Sequence, residues 1–315
     1  MTVPCVKDRA YYTVTPVTLV VMLLGALTAS GVLLVVYWVI TARRLSGSGT
    51  GGTPASPHLA IGFVTNFFDT LGIGSFAPTT AVFRLLGLVP DELIPGTLIV
   101  GHALPVLTQA MFFVSAVEVD PLQMILLIVV CVAGGWLGAG VVTRLSRRAV
   151  QLAIGGALLT AALFMLLGML GQIPTGGTAL ALTPRALVVA LVINFALGAL
   201  LTLGIGNYAP SLIMFSLLGM DPRAAFPIMM GSGAFVATIA GVRFLSAARF
   251  HRRAALGLTI GGIPGVIVAA WLVQSLPLAA LRWLVLVVVT YAALTLLRAG
   301  LRGEVPAPQS TVRPV

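Results

Sequence analysis

Apolar positions run along this chain in blocks of about twenty or more, the length that carries a helix across a bilayer. Residues 14–40 form the first block. Residues 95–117, 123–143 and 150–170 form three more, and residues 224–246, 255–273 and 278–297 a further three. Two other long apolar segments are interrupted. Residues 59–88 contain Gly72-Ile73-Gly74 and Pro78, and residues 186–220 contain Gly204-Ile205-Gly206 and Pro210. Residues 46–57 and 171–184, rich in Gly, Ser, Thr and Pro, read as linkers, and the polar tail from residue 300 reads as disordered. The prediction is an all-α integral membrane protein with about seven full spans and two broken helical hairpins.

The order of these elements is a lone helix, then twice a broken hairpin followed by three spans. Aligning Leu71-Gly72-Ile73-Gly74 with Leu203-Gly204-Ile205-Gly206 sets an offset of 203 − 71 = 132. Without a gap, Phe63, Thr70, Ala77-Pro78, Phe83, Pro90 and Pro95 then fall on Phe195, Thr202, Ala209-Pro210, Phe215, Pro222 and Pro227. An internal duplication explains that ordered set better than biased composition does. The expected organisation is residues 1–57 for the extra helix and linker, 58–170 for repeat 1, 171–184 for the linker, 185–299 for repeat 2 and 300–315 for the tail.

Charge orients the repeats. The loop carrying Arg144, Arg147 and Arg148 is basic and expected inside, while the loop from Glu118 to Asp120 is acidic and expected outside. In repeat 2 the loop matching the acidic one carries Arg249, Arg252 and Arg253, and the loop matching the basic one carries no charge. Equivalent positions therefore face opposite sides, so the repeats are expected to be inverted, an arrangement common in secondary transporters. The N-terminus comes out external and the C-terminus cytoplasmic. The first block is too long for a signal peptide, and it ends in Arg43-Arg44 without a small-residue cleavage site.

Composition agrees with a bilayer. Of 315 residues, 59% are hydrophobic and 8% charged, and the mean hydropathy is +1.09. A soluble domain has roughly 25% charged residues. The net charge of +10 sits in short clusters between apolar blocks, not on a basic face with interleaved aromatics, so no nucleic-acid partner is expected. Cys5 and Cys131 lie far apart with no metal-ligand spacing, and no metal or cofactor is expected. Without an HExxH, paired intramembrane carboxylates or a Walker-type loop, the chain does not read as an enzyme.

Candidate chemistry collects at the two breaks. Paired breaks at matching places in inverted repeats point to a transport site. Gly72, Gly74, Gly204 and Gly206 permit positive φ and close approach of a ligand, or else serve tight helix packing. Ser75 and Asn207 follow as natural N-caps, with Pro78 and Pro210 in the first turn of each new helix. Two helix N-termini would then offer free N–H groups and positive dipole ends to a small anion. Asn66 and Asn194 either contact substrate or tie off carbonyls freed at the breaks. Thr70, Thr202, Thr79 and Ser211 are ligand candidates or bond back to their own helices. Asp69, whose counterpart is Leu201, is the acidic residue placed well inside an apolar segment; it carries a coupling proton or pairs structurally. His102 is a packed side chain or a gate. Arg84 and Arg243 line a vestibule or snorkel to the interface. Cys131 is a small buried filler or a sulfur-reactive thiol. His58 and His251 are expected to be solvated in loops. A homodimer would give the lone first helix a packing role.

At the twin breaks the sequence resembles the sulfite exporter TauE/SafE family of permeases. The matching residues are Leu71-Gly72-Ile73-Gly74, Leu86-Gly87-Leu88-Val89-Pro90 and Gly96-Thr97-Leu98 in the first copy. In the second they are Leu203-Gly204-Ile205-Gly206, Leu218-Gly219-Met220-Asp221-Pro222 and Gly231-Ser232-Gly233. The likeness extends over residues 59–297. It departs where the family's GxGGG run reads Gly72-Ile73-Gly74-Ser75-Phe76 and Gly204-Ile205-Gly206-Asn207-Tyr208. The resemblance implies an inner-membrane permease, without ATP, that exports small sulfur-containing anions such as sulfite or organosulfonates. The residues themselves lead only to an anion site between inverted repeats. The rivals they leave open are a passive anion channel, a membrane scaffold or receptor, and a proton-coupled transporter of another solute.

Overall fold

The computed structural model describes residues 16–44, 55–72, 74–142, 147–172, 177–201 and 207–302. The elements are α1 (Pro16–Arg44), α2 (Ser56–Thr70), α3 (Phe76–Leu85), a 3-10 turn (Asp91–Leu93), α4 (Ile94–Ala116), α5 (Pro121–Val142), α6 (Arg147–Met169), α7 (Pro184–Leu201), α8 (Tyr208–Leu217), α9 (Pro222–Ser246), α10 (Arg252–Ser275) and α11 (Leu278–Arg302). Among the described residues seven helices are long and apolar enough to cross a membrane. The protein is an all-α multi-pass membrane protein. One of the seven is α7, the first arm of the second broken segment, whereas α5, expected as a full span, is apolar over the shorter described stretch Pro121–Leu137. Of the linker expected at residues 46–57 and the tail expected at 300–315, residues 46–54 and 303–315 lie outside the described residues; residues 56–57 begin α2 and residues 300–302 end α11.

Helices from the two halves of the chain interleave. α2 packs along α10, and its counterpart α7 packs along α5; α4 crosses α9, and α6 lies against α11. The α2–α10 seam is built on glycine. Gly257, Gly261 and Gly265, spaced one helical turn apart, meet His58, Leu59 and Phe63 of α2, and Gly62 returns the contact against Leu258. A Cβ at any of these positions would run into the neighbouring helix, mostly into its backbone. The α5–α7 seam repeats the device with Gly134 on the Phe195 carbonyl and Gly198 on the Cys131 carbonyl. In a bilayer the lipid tails are as apolar as leucine, so such close backbone approach is what holds helices together. Between α4 and α9, Phe113 and Phe226 stack with ring centroids 4.9 Å apart. α1 buries Leu23, Leu27, Leu34 and Trp38 and packs on α9, α4 and α5, so it has packing partners within the chain.

These registers define two ends of the bundle. Arg252 donates to the Ala42 carbonyl, the His251 N–H to Thr97, and Trp38 meets Phe250 edge-on, so the end of α1 and the starts of α4 and α10 lie together. At the opposite end Asp120 bonds Leu180, Gln123 exchanges two hydrogen bonds with Leu182, and Ala179 pairs with Met220. A cavity of about 380 Å³ opens there beside Glu118, Asp221, Arg223 and Gln274. Part of the expected linker at 171–184 is thus docked onto the starts of α5 and α9.

His58 departs from expectation, because it is a buried helix residue, whereas His251 does lie in the loop before α10 and is partly exposed. His58 sits in the first turn of α2, buried against Phe83 and 6.3 Å from the His251 ring. His251 caps α10, its Nδ1 accepting the Ala254 N–H at 3.3 Å. Burial, and secondarily the Arg253 guanidinium, hold the His251 pKa below the ordinary imidazole value of about 6.5. The folded protein therefore binds fewer protons than the unfolded chain in that window, and stability falls as pH drops below about 6.5. Apparent Tm in detergent, followed from about pH 8 to about pH 5, should decline over the acid range. His251→Asn keeps a capping acceptor without the titration and should flatten the profile, with a cost at neutral pH of about 1 kcal/mol or less. An equally steep decline in the variant would show that this ring is not the responsible group.

Candidate functional site

The first break follows Thr70. Leu71 is still in helical conformation, and then Gly72 and Gly74 take φ of +94° and +90°, the left-handed region that glycine occupies without penalty. The chain reverses, and α3 runs back beside α2 until Phe83 meets His58. Fifteen residues of α2 rise about 22 Å, so the break lies within the bundle and not at either end.

Around it the polar side chains form one buried network. Asn66 donates through Nδ2 to the Gly62 carbonyl at 2.7 Å, which leaves Oδ1 to accept. His102 Nδ1 stands 3.0 Å from that oxygen and must be the donor, since an amide oxygen only accepts. His102 Nε2 then faces the Thr79 hydroxyl at 3.2 Å, and the same hydroxyl donates to the Ser75 carbonyl at 2.8 Å. Gln109 of α4 donates through Nε2 to Asp69 Oδ2 and to Thr70 Oγ, both at 3.0 Å. Thr70 donates to the Asn66 carbonyl. Ser75 faces the Asp69 carboxyl group with its hydroxyl and backbone N–H. Asn66, Thr70 and His102 are fully buried, and Asp69 is 4% exposed. Asn66, Asp69, Thr70, Gly72, Gly74, Ser75 and His102 thus share one site.

The second break is seen from its far side. Thr202, Gly204 and Gly206 lie outside the described residues. Asn207 stands just before α8 and is 1% exposed, and Pro210 occupies the third position of the helix. Asn194 does not join Asn207. Its Nδ2 donates to the Leu127 carbonyl of α5 at 2.8 Å, tying α7 to α5. The Cys131 thiol, fully buried, lies beside Ser232 and Asn207. The first break approaches α8 and α11: a Cβ on Gly72 would sit 3.8 Å from Leu212 of α8 and 3.4 Å from Val288 of α11, and Tyr208 is within electrostatic reach of Asp69.

Ser75 and Asn207 hold the N-cap positions but make no side-chain cap bond. Their backbones are helical (φ −90°, ψ −28° and φ −90°, ψ −10°) where a capping residue is usually extended, so the side chains are not turned onto the following N–H groups. Ser75 serves Asp69 instead. Ser211 does not bond back to its helix as Thr70 and Thr79 do; its hydroxyl has no partner among the described residues. Arg84 pairs with Asp91 at 3.0 Å on the surface. Sequence reasoning passed over Gln109, although a lone glutamine in an apolar span is a visible signal.

Comparison with protein-family models, with curated proteins and with solved structures returns no match.

Proposed function

We propose that the protein is a secondary transporter of small anions, held between the two helix breaks and moved by alternating access of two inverted repeats. The observation that carries this reading is the glycine reversal before α3, which lies inside the bundle within reach of Leu212 of α8, the short helix that follows the second break in sequence. Broken helices are tolerated at membrane depth only where protein or a water-filled cavity receives the freed backbone groups. The exchange of partners, α2 on α10 and α7 on α5, supports a pseudo-two-fold relation between residues 58–170 and 185–299. The gathering of Arg43, Arg249 and Arg252 at one end supports a cytoplasmic C-terminus and an external N-terminus in the inner membrane. The resemblance to sulfite exporters supplies the substrate class: sulfite or organosulfonates, exported with the membrane potential. A second reading is favoured by Asp69. This buried carboxyl group is bonded by neutral partners, Gln109 and Ser75, and is suited to carry a coupling proton.

Purified protein in detergent should gain thermal stability from sulfite, thiosulfate or sulfoacetate, but not from acetate, chloride or taurine. In proteoliposomes the same anion should show saturable counterflow. Absence of stabilisation by every anion would sink the proposal, and flux that does not saturate would make the protein a channel.

A further inference from the structure

We infer that the charged group of the substrate is received by the start of α8, on Asn207 and Ser211, and not by the matching start of α3. This rests on the transport reading above and assigns unequal roles to its two poles. At the offset of 132, Ser75 matches Asn207, Thr79 matches Ser211 and His102 matches Ala234. In α3 each of these polar groups is already engaged. Thr79 bonds the Ser75 carbonyl and meets His102, and Ser75 faces Asp69. At the α8 pole the histidine is replaced by Ala234 of α9, which offers no polar side chain. Asn207 Nδ2, Asn207 Oδ1 and Ser211 Oγ have no conventional hydrogen-bond partner among the described residues, with only the Cys131 thiol, a weak donor and acceptor, beside Asn207, though the two side chains are 1% and 0% exposed.

Buried polar atoms are nearly always paired, so three unpaired on adjacent turns of one helix mark a place where something else binds. The chemistry there is donating and neutral. The N–H groups of Tyr208 and Ala209, in the first turn of a ten-residue helix, have no acceptor within the helix, and no acidic side chain lies in that turn. The amide of Asn207 and the hydroxyl of Ser211 add further donors beside the positive dipole end. An oxyanion of sulfur or carbon, with several acceptor oxygens, suits that set. The α3 pole, with Asp69 and its carboxyl group already bonded, suits it poorly.

The test separates binding from folding. Without ligand, Ser211→Ala and Asn207→Ala should leave Tm unchanged or raise it, because each removes an unpaired buried group. Thr79→Val and Ser75→Ala should lower it, because each breaks a bond in place. With sulfoacetate, the α8 variants should bind about tenfold or more weakly, while folded α3 variants keep an affinity near that of the parent. The inference is overturned if the α8 variants bind sulfoacetate normally, or if α3 and α8 variants lose it alike. Failure of every anion to stabilise the parent protein would instead remove the transport reading on which the inference stands.

Discussion

Gly198→Ala is expected to eliminate well-folded protein. Gly198 lies on α7 where the helix touches α5, and a Cβ there would occupy the position of the Cys131 carbonyl. That carbonyl is part of a helix backbone and cannot turn aside as the end of a flexible side chain can. The two axes would have to separate along the whole seam, losing the contact of Gly134 with Phe195 and the Asn194 bond to Leu127. Overpacking of this kind costs on the order of 3 kcal/mol or more when backbone must move. Gly261→Ala should act similarly through the Leu59 carbonyl on the α2–α10 side. Gly156→Ala is the control. Nothing lies within 4 Å of the added carbon, and a glycine inside a helix costs about 0.5–1 kcal/mol relative to alanine. Size-exclusion profiles and Tm in detergent should show the first two variants aggregated or strongly destabilised and the third slightly stabilised. A monodisperse Gly198→Ala protein with the parent Tm would mean that α5 and α7 do not meet there.

The positions of these glycines were visible in the sequence, but their partners were not. Hydropathy located the helices closely: the span read as 95–117 is α4 (Ile94–Ala116), and that read as 224–246 begins two residues after the start of α9 (Pro222–Ser246). Gly72 and Gly74 were legible as a reversal because positive φ is a local property of the backbone. Helix pairing is not local. Nothing in the run around Leu59 announces that it lies against Gly261, some two hundred residues on, although glycines at 257, 261 and 265 announce that some helix must come close. The site divides in the same way. Asn66, Asp69 and His102 stood out as polar residues in apolar runs, yet the pattern could not tell which of them touch. Asn66 joins His102, whereas Asn194 leaves the breaks and bonds α5. Ser75 was placed at a cap by its position, but the capping bond depends on a backbone angle that the sequence does not carry.

The pairing of Asn66 with His102 carries the second large expectation. His102→Leu keeps much of the ring volume and removes both nitrogens. Asn66 Oδ1 then loses its donor in a fully buried place, and an unsatisfied amide oxygen there costs about 1–3 kcal/mol. Thr79 suffers less, because its hydroxyl still donates to the Ser75 carbonyl. Asn66→Ala makes the converse defect, stranding the Nδ1–H of His102, and removes the second donor to the Gly62 carbonyl. In the double variant neither side chain waits for the other, so its loss of stability should fall short of the sum of the singles by about 1 kcal/mol or more. Thr79→Val added to His102→Leu should cost nearly what Thr79→Val costs alone, less the weaker 3.2 Å contact with Nε2. Tm values for the four proteins of each cycle, read in one detergent, give these couplings directly. Strict additivity between positions 66 and 102 would mean that the bond does not form, and the tautomer argued for His102 would lose its basis. A large coupling fixes Nδ1 as the donor to Asn66 and leaves Nε2 facing the Thr79 hydroxyl.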